Sequence, residues 1–403
     1  MPRKKDMSRN ANGSGNIRKI TQTVNGKQYT YWQARYTAGY DPSTGKQIQR
    51  SITGKTQKEV AQKLKEITYQ IDQGTYIAPS KMTVAEWFTL WDNDYLGGVK
   101  EDTADLYKRN VELYIKPHLG GVRLDALKPH MIQKFYNDLQ SQPSTKGKPL
   151  SAKTIKNVHG VLHKGLQQAV LNGYLRSNPA DSCQLPKIQK AELYPLDENG
   201  VSLFLKAIAG HNYEYLYQIA LFTGLRESEI LGLTWDCVDL DSGALLVEKQ
   251  LKREKKERGG GYKFAPTKNG KKRLLTLAPS VVMLFRLQKL HQNSLRMEAG
   301  DLWEEHNLVF TNRVGHFLSY RSVFDPFKRI VKRIGYPNTR FHDLRHSYAI
   351  ASIKGGDNIK TVQENLGHAT AAFTLDVYGH VTAQMKRESA DRMEQFIKSV
   401  SAG

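Results

Sequence analysis

The sequence predicts a multidomain, mainly α protein: a small three-stranded sheet plus one helix, then an all-α domain, then a mainly α domain carrying a small β-sheet or hairpin. Three observations predict it. The chain has 403 residues, more than one core organises at roughly 100–200 residues per domain. Apolar residues recur at period two between turn signals over residues 17–52 and at helical period over most of the remainder. The composition, 39% hydrophobic with 9% aromatic residues, supports packed cores and excludes wholesale disorder.

Taken in order, residues 1–16 (MPRKKDMSRNANGSGN) read as a flexible basic arm. Residues 17–24 read as a strand, Asn25-Gly26 as a tight turn, 29–38 (YTYWQARYTA) as a second strand and 46–52 as a third, with a turn at Asp41-Pro42-Ser43-Thr44-Gly45. Thr56 caps a helix, with Glu59 placed for a capping box, Val60, Leu64, Ile67 and Ile71 on one face, and a stop at Gly74. Residues 75–80 read as a linker. Thr83 then caps VAEWFTLWDNDYL, and 104–115 form a second helix broken by Pro117 and Gly120-Gly121. Pro129 opens a third, HMIQKFYNDLQ, and Ser151 caps a fourth that ends near Gly173. Residues 186–195 bridge to the last part, which is helical with strands at 245–249, 261–264 and 273–277 and a turn at Pro266-Thr267-Lys268-Asn269-Gly270. Residues 252–261 (KREKKERGGG) read as a mobile surface loop.

The formal charge is +21 with pI near 9.7, and residues 1–79 alone carry 14 basic against 5 acidic side chains. Such an excess points to a polyanionic partner, nucleic acid first. Mean hydropathy is −0.56, and no run approaches the roughly 18 apolar residues of a membrane span. The N-terminus has no apolar signal core, and Cys183 and Cys237 are too few for a disulfide or zinc framework. A cytoplasmic, DNA-associated protein is expected.

Four strings in the last part carry the chemistry: TGLRESEI at 223–230, PTKNGKKR at 266–273, HDLRHS at 342–347 and LGHATAAFTLDVYGH at 366–380. Two guanidinium groups, Arg226 and Arg345, can clamp one phosphodiester and neutralise the charge of a pentavalent transition state. A tyrosine hydroxyl is a competent nucleophile when cations and a base assist it. Lys268 on a turn can donate to a departing 5′-oxygen, and His342 and His368 can supply a base or a phosphate hydrogen bond. No acidic cluster of metal-ligand type accompanies the set, and no Gly-rich loop with Lys-Ser/Thr is present, so no metal and no cofactor are expected. Taken singly these residues leave duller alternatives. Tyr348 and His346 read as packing or orienting groups, as does His380. Glu229 reads as a polar contact of Arg226, Asp343 as a supporting partner, and Lys271 and Lys272 compete with Lys268.

The four strings, in this order, resemble those of the tyrosine recombinases. The resemblance spans essentially the whole chain and is closest to the integrases of lambda-like phages and of integrative conjugative elements. Arg345 and His368 are 23 positions apart and Tyr378 follows His368 by ten, as in that family. The resemblance implies the tyrosine recombinase fold, with an arm-type DNA-binding domain at 17–76, a helical SAM-like core-binding domain at 80–182, and a catalytic domain at 192–403 ending in an exchanged helix near 382–400. It implies that Arg226 and Arg345 activate the scissile phosphate and that Lys268 is the general acid, worth about 10²–10⁴ in rate. His342 would assist proton transfer, His368 would bind the phosphate, and Tyr378 would form a 3′-phosphotyrosyl link. It further implies double-stranded DNA with core-type and arm-type sites as partner, a homo-tetramer in the synaptic complex, a bacterial setting, and excisionase and DNA-bending proteins as accessories. Arg18, Lys19, Arg35 and Arg50 on the basic sheet, and Lys153, Lys156 and Asn157 on the helix after Ser151, are the DNA-contact candidates. The rival readings are a chromosome-dimer recombinase, a type IB topoisomerase and a catalytically silent DNA-binding regulator. The extra basic module counts against the first, the short tail after Tyr378 against the second, and the intact set of six against the third.

Overall fold

The computed structural model describes residues 16–74, 76–78, 81–142, 147–189, 192–254, 260–368, 370, 390–391 and 393–401. The chain divides into two compact units, 1–190 and 191–403. The first opens with an antiparallel meander of β1 (Asn16–Val24), β2 (Lys27–Tyr40) and β3 (Gln47–Gly54). Asn25 and Gly26 both take positive φ, the geometry a two-residue hairpin needs to match strand twist. Helix α1 (Gln57–Asp72) lays Val60 and Leu64 against Ala34 and Tyr36. Thr56 caps it by accepting from Glu59 N, and the Glu59 carboxylate accepts from Lys55 N at 3.0 Å.

Strand register divides the four basic candidates of this sheet. Directly paired residues share a face and alternate residues oppose it. Arg18 pairs with Gln33 and Arg35 with Asn16 and Ser51, on the face away from buried Ala34 and Tyr36. Lys19 pairs with Trp32 and Arg50 with Tyr36, so both point to the helix-bearing side. Of the four candidates, Arg18 and Arg35 therefore share the open face, and Lys19 and Arg50 stand on the other.

A second core in this unit gathers α2 (Val84–Asp94), α3 (Glu101–Asn110), α4 (Lys116–Leu119), α5 (Pro129–Ser141) and α6 (Ala152–Leu171) around Trp87, Phe88, Trp91, Ile132 and Phe135. Thr83 and Glu86 form the full capping box ahead of α2. Pro117 does not end its helix as expected. A π turn at Val111–Ile115 joins α3 to α4, and Pro117 sits in the first turn of α4, where its missing N–H costs little. Gly165 of α6 lies against the Phe88 ring, where a Cβ would come to 2.4 Å, and its carbonyl accepts from Trp87 Nε1 at 3.0 Å. The opposite side of α6 exposes Lys153, Lys156, Asn157 and Lys164.

The second unit packs α7 (Glu198–Ile208), α8 (Glu214–Thr223), α9 (Glu227–Leu231), α10 (Pro279–Ala299), α11 (Tyr320–Arg333), α12 (Asp343–Lys354) and α13 (Ile359–Leu366). Its main core holds Phe204, Tyr217, Phe285 and Phe327. The expected strand at 245–249 is two strands in two sheets. β5 (Ala244–Val247) lies between β4 (Val238–Asp239) and β8 (Arg273–Thr276), while β6 (Lys249–Arg253) pairs with β7 (Tyr262–Pro266). The break falls at Glu248, whose carboxylate reaches Lys272 at 2.6 Å. Lys252 and Arg253 belong to β6 rather than to the loop expected there, and 255–259 lie outside the described residues.

Candidate active site

Arg226 stands just before α9, where its backbone is extended and its side chain turns back. Nη1 donates to Glu229 Oε1 at 2.7 Å and Nη2 to the Gly367 carbonyl at 2.8 Å. Glu229 is buried, and strand β8 brings Arg273 to its other side, with Nη1 at 3.0 Å from Oε1 and Nη2 at 2.7 Å from Oε2. Burial alone would raise the Glu229 carboxyl. The hydrogen bonds and charge of Arg273, and then the charge of Arg226, outweigh it and hold the group at about 2. Arg273 also donates from Nε to the Asn365 carbonyl at 2.8 Å. The sequence reading named Arg273 only as the end of a motif. Its pairing with a carboxylate 44 residues earlier is set by strand placement, which no local spacing signals.

Arg345 enters from the first turn of α12 and is buried. It donates from Nη1 to the Gly224 carbonyl at 2.7 Å and from Nη2 to the Leu366 carbonyl. Gly224 ends α8 and Gly367 ends α13, each left-handed at φ +63 and φ +61. Two helix C-termini thus aim carbonyls at the two arginines, satisfying orphan acceptors and part of the cationic charge. Tyr348 packs its ring where a Gly224 side chain would stand, and its hydroxyl accepts from Asn365 Nδ2 at 3.3 Å.

Three histidines share this environment. His342 precedes α12 and meets His346 edge to face at 5.2 Å. Burial first and the Arg345 charge second lower His342. Burial and His342 lower His346 to about 4, and burial with the charges of Arg345 and Arg226 lowers His368 to about 3. The imidazoles are neutral at pH 7, so each offers one ring nitrogen that donates and one that accepts a hydrogen bond. Asp343 is fully buried and is held by Arg340, whose Nε and Nη2 lie 3.0 and 2.9 Å from its oxygens.

A cleft of about 390 Å³ opens onto Arg226, Arg273, Gly367 and His368, and Thr267, Asn269, Lys271 and Lys272 close one side. Lys268 is exposed on the same turn, which Thr267 O and Gly270 N close at 2.8 Å. Lys272 is committed to Glu248. The structure therefore gathers Arg226, His342, Arg345 and His368 into one charged neighbourhood and sets the Lys268 turn at its edge. Tyr378 and His380 lie outside the described residues. Chemically, converging guanidinium donors beside neutral imidazoles and a lysine-bearing turn suit a tetrahedral oxyanion that changes charge during reaction.

Comparison with known proteins gives a consistent result. Residues 196–385 match the family model described as Phage integrase family, and residues 83–140 match that of the Phage integrase N-terminal SAM-like domain. A protein named tyrosine recombinase XerC-like, from Caldanaerobacter subterraneus subsp. tengcongensis, is 29% identical over 400 residues, covering 94% of this chain and 99% of its own. The ICEBs1 integrase of Bacillus subtilis is 25% identical over 372 residues, covering 91% of this chain and 97% of its own. Among solved structures, the Tn1549 transposon integrase in complex with transposon right end DNA superposes with TM-score 0.64 at 24% identity, over 76% of this chain and all of that one.

Proposed function

The chain belongs to the phage integrase family of tyrosine recombinases, and on that footing we propose how its residues do the work of a site-specific integrase. It cuts and rejoins DNA through a 3′-phosphotyrosyl intermediate and a Holliday junction, integrating and excising a mobile genetic element. The observation that carries this reading is the convergence of Arg226 and Arg345 with two burial-neutralised imidazoles, His342 and His368, beside the Lys268 turn.

In this reading Arg226 and Arg345 bind the non-bridging oxygens of the scissile phosphate, and His368 adds a hydrogen bond. Tyr378 attacks phosphorus while neutral His342 helps to take its proton. Lys268 protonates the leaving 5′-oxygen. The phosphotyrosyl ester keeps the phosphodiester's free energy, so a 5′-hydroxyl from the partner duplex reverses the step without an energy source. Exchange of two duplexes needs four cleavages with one tyrosine each, which supports four protomers on DNA. The open sheet face with Arg18 and Arg35 serves arm-type sites, and the exposed side of α6 with Lys153, Lys156 and Asn157 serves core-type sites. Helical residues 393–401 leave Met393, Phe396, Ile397 and Val400 exposed, which supports their docking on a neighbouring protomer. Excisionase and DNA-bending partners complete the proposal.

The test uses a nicked duplex carrying the end of the encoding element. A denaturation-resistant protein–DNA adduct is expected with the natural chain and none with Tyr378→Phe. An adduct that persists in the variant moves the nucleophile elsewhere. Tight binding without any adduct favours a silent regulator.

A further inference from the structure

Outside the cleft, the seventeen-residue stretch between the short turn after α10 and the start of α11 holds a second cluster of donor atoms. Glu304, His306 and His316 place one carboxylate and two imidazoles so that one ligand atom of each lies within 4.8 Å of the others. His316 Nε2 is 2.7 Å from Glu304 Oε1, and His306 Nε2 is 3.6 Å from Glu304 Oε2. The two imidazole rings stand 5.2 Å apart.

The backbone that carries them is tightly held. Glu304 N donates to Val314 O at 2.9 Å, and Asn312 N donates to His316 O at 2.9 Å. The Asn312 side chain accepts from both Val314 N and His316 N. Gly315 is left-handed at φ +87, and a Cβ there would fall 2.1 Å from the Glu304 carbonyl. On the other flank, Trp235 N donates to Asn307 O at 2.9 Å and Leu308 bridges to Thr234. Donors on so rigid a frame are pre-positioned.

An ordinary ion pair explains only part of this. It accounts for His316 with Glu304 at 2.7 Å and, more loosely, for His306 with Glu304 at 3.6 Å, beyond hydrogen-bond distance. It leaves His306 Nε2 shielded from solvent and without a hydrogen-bond partner, although buried polar atoms are normally paired. We propose that Glu304, His306 and His316 bind one divalent transition metal ion of borderline softness, zinc foremost. Two imidazole nitrogens and a carboxylate oxygen are a recurring three-ligand zinc set, with water as the fourth ligand. Ligand atoms about 2.0–2.1 Å from a tetrahedral ion lie about 3.3 Å apart, between the two separations found here. The His306 ring also lies tilted against Phe317 at 5.1 Å, and Phe317 meets Phe264 of β7 edge-on at 5.5 Å. A bound ion thus touches, through Phe317, the strand that leads into the Lys268 turn.

The test uses the full chain stripped with chelator. Zinc is titrated by calorimetry and cobalt(II) by visible absorption, with thermal unfolding in parallel. One ion per chain, a tetrahedral cobalt spectrum bleached by zinc, and a higher midpoint with zinc are expected. His306→Ala and Glu304→Gln should each weaken binding roughly tenfold or more and abolish the zinc-dependent shift. Both side chains are partly exposed or exposed, so the metal-free variants should unfold near the metal-free natural chain. Binding of equal strength in the variants would assign the ion to other groups and overturn the proposal. No saturable binding by the natural chain would overturn it equally, leaving an ion pair only.

Discussion

Glu229 sits between two guanidinium groups and is almost wholly buried, with side-chain exposures of 1% for Glu229, 20% for Arg226 and 11% for Arg273. Removing its charge leaves two half-buried cations without their carboxylate, a loss below the about 3–5 kcal/mol that breaking a fully buried pair costs. Glu229→Gln is therefore expected to lower the unfolding midpoint and to cut covalent adduct yield together, read by thermal denaturation and by the nicked-duplex assay. A variant with natural stability and natural adduct yield would contradict this account of how Arg226 is aimed. Arg273→Lys should behave similarly, because one ammonium cannot supply both parallel hydrogen bonds and the bond to Asn365 O. At this scale the candidate residues were legible as strings of residue types at set intervals. Arg273 was not, because its partner is defined by strand placement across 44 positions. The same limit applied to Arg18, Lys19, Arg35 and Arg50: alternation alone separates them, but only the register with Ala34 and Tyr36 says which pair faces outward.

Among the elements, helices were the most legible, since Thr56, Thr83 and Ser151 announce their starts and apolar period marks their faces. Pro117 was misread because a π turn precedes it and restarts the helix around it, a rearrangement no propensity encodes. The β insert was misread because residues 245–249 look like one strand and the charged run from Lys252 like a loop, while β5 and β6 pair with different strands on either side of Glu248. Two contacts between elements give sharp expectations. Gly165→Ala drives a methyl into the Phe88 ring and should cost about 1–3 kcal/mol, seen as a lower denaturant midpoint with unchanged slope. Gly224→Ala combines a left-handed backbone with a Cβ 2.5 Å from Tyr348. It should destabilise by at least about 1 kcal/mol, and it should reduce adduct yield beyond that of Gly165→Ala. The reason is that the Gly224 carbonyl holds Arg345. Equal effects of the two variants on adduct yield would detach the α8 terminus from catalysis.

For the whole molecule, +21 of net charge means that binding DNA releases many counterions, so affinity should fall steeply with salt. The unliganded protein's response to acid is set locally, by burial first and neighbouring charges second. His346 and His368 titrate at about 4 and about 3 in the fold, against about 6.5 in an unfolded chain. Between those values the unfolded state holds protons that the native state does not, so native stability falls as pH drops from 6.5. Glu229, held at about 2, adds a loss in the same direction as pH falls below its ordinary value near 4.5. Denaturant midpoints measured without DNA should therefore decline from pH 7 to pH 4, and a flat profile over that range would refute the burial and charge assigned to these groups. A bound phosphodiester reverses the largest electrostatic cause. Placed against Arg226 and Arg345, it offsets the two charges that depress His368 and so raises that imidazole's affinity for a proton. Histidine resonances followed through a pH titration, with and without a specific duplex, should show His368 moving upward on binding while His211, depressed by burial and by Arg329 and Arg333, stays in place. If His368 and His211 respond alike, the anion is not lodged between the two arginines, and the phosphate must be sought on another part of the basic surface.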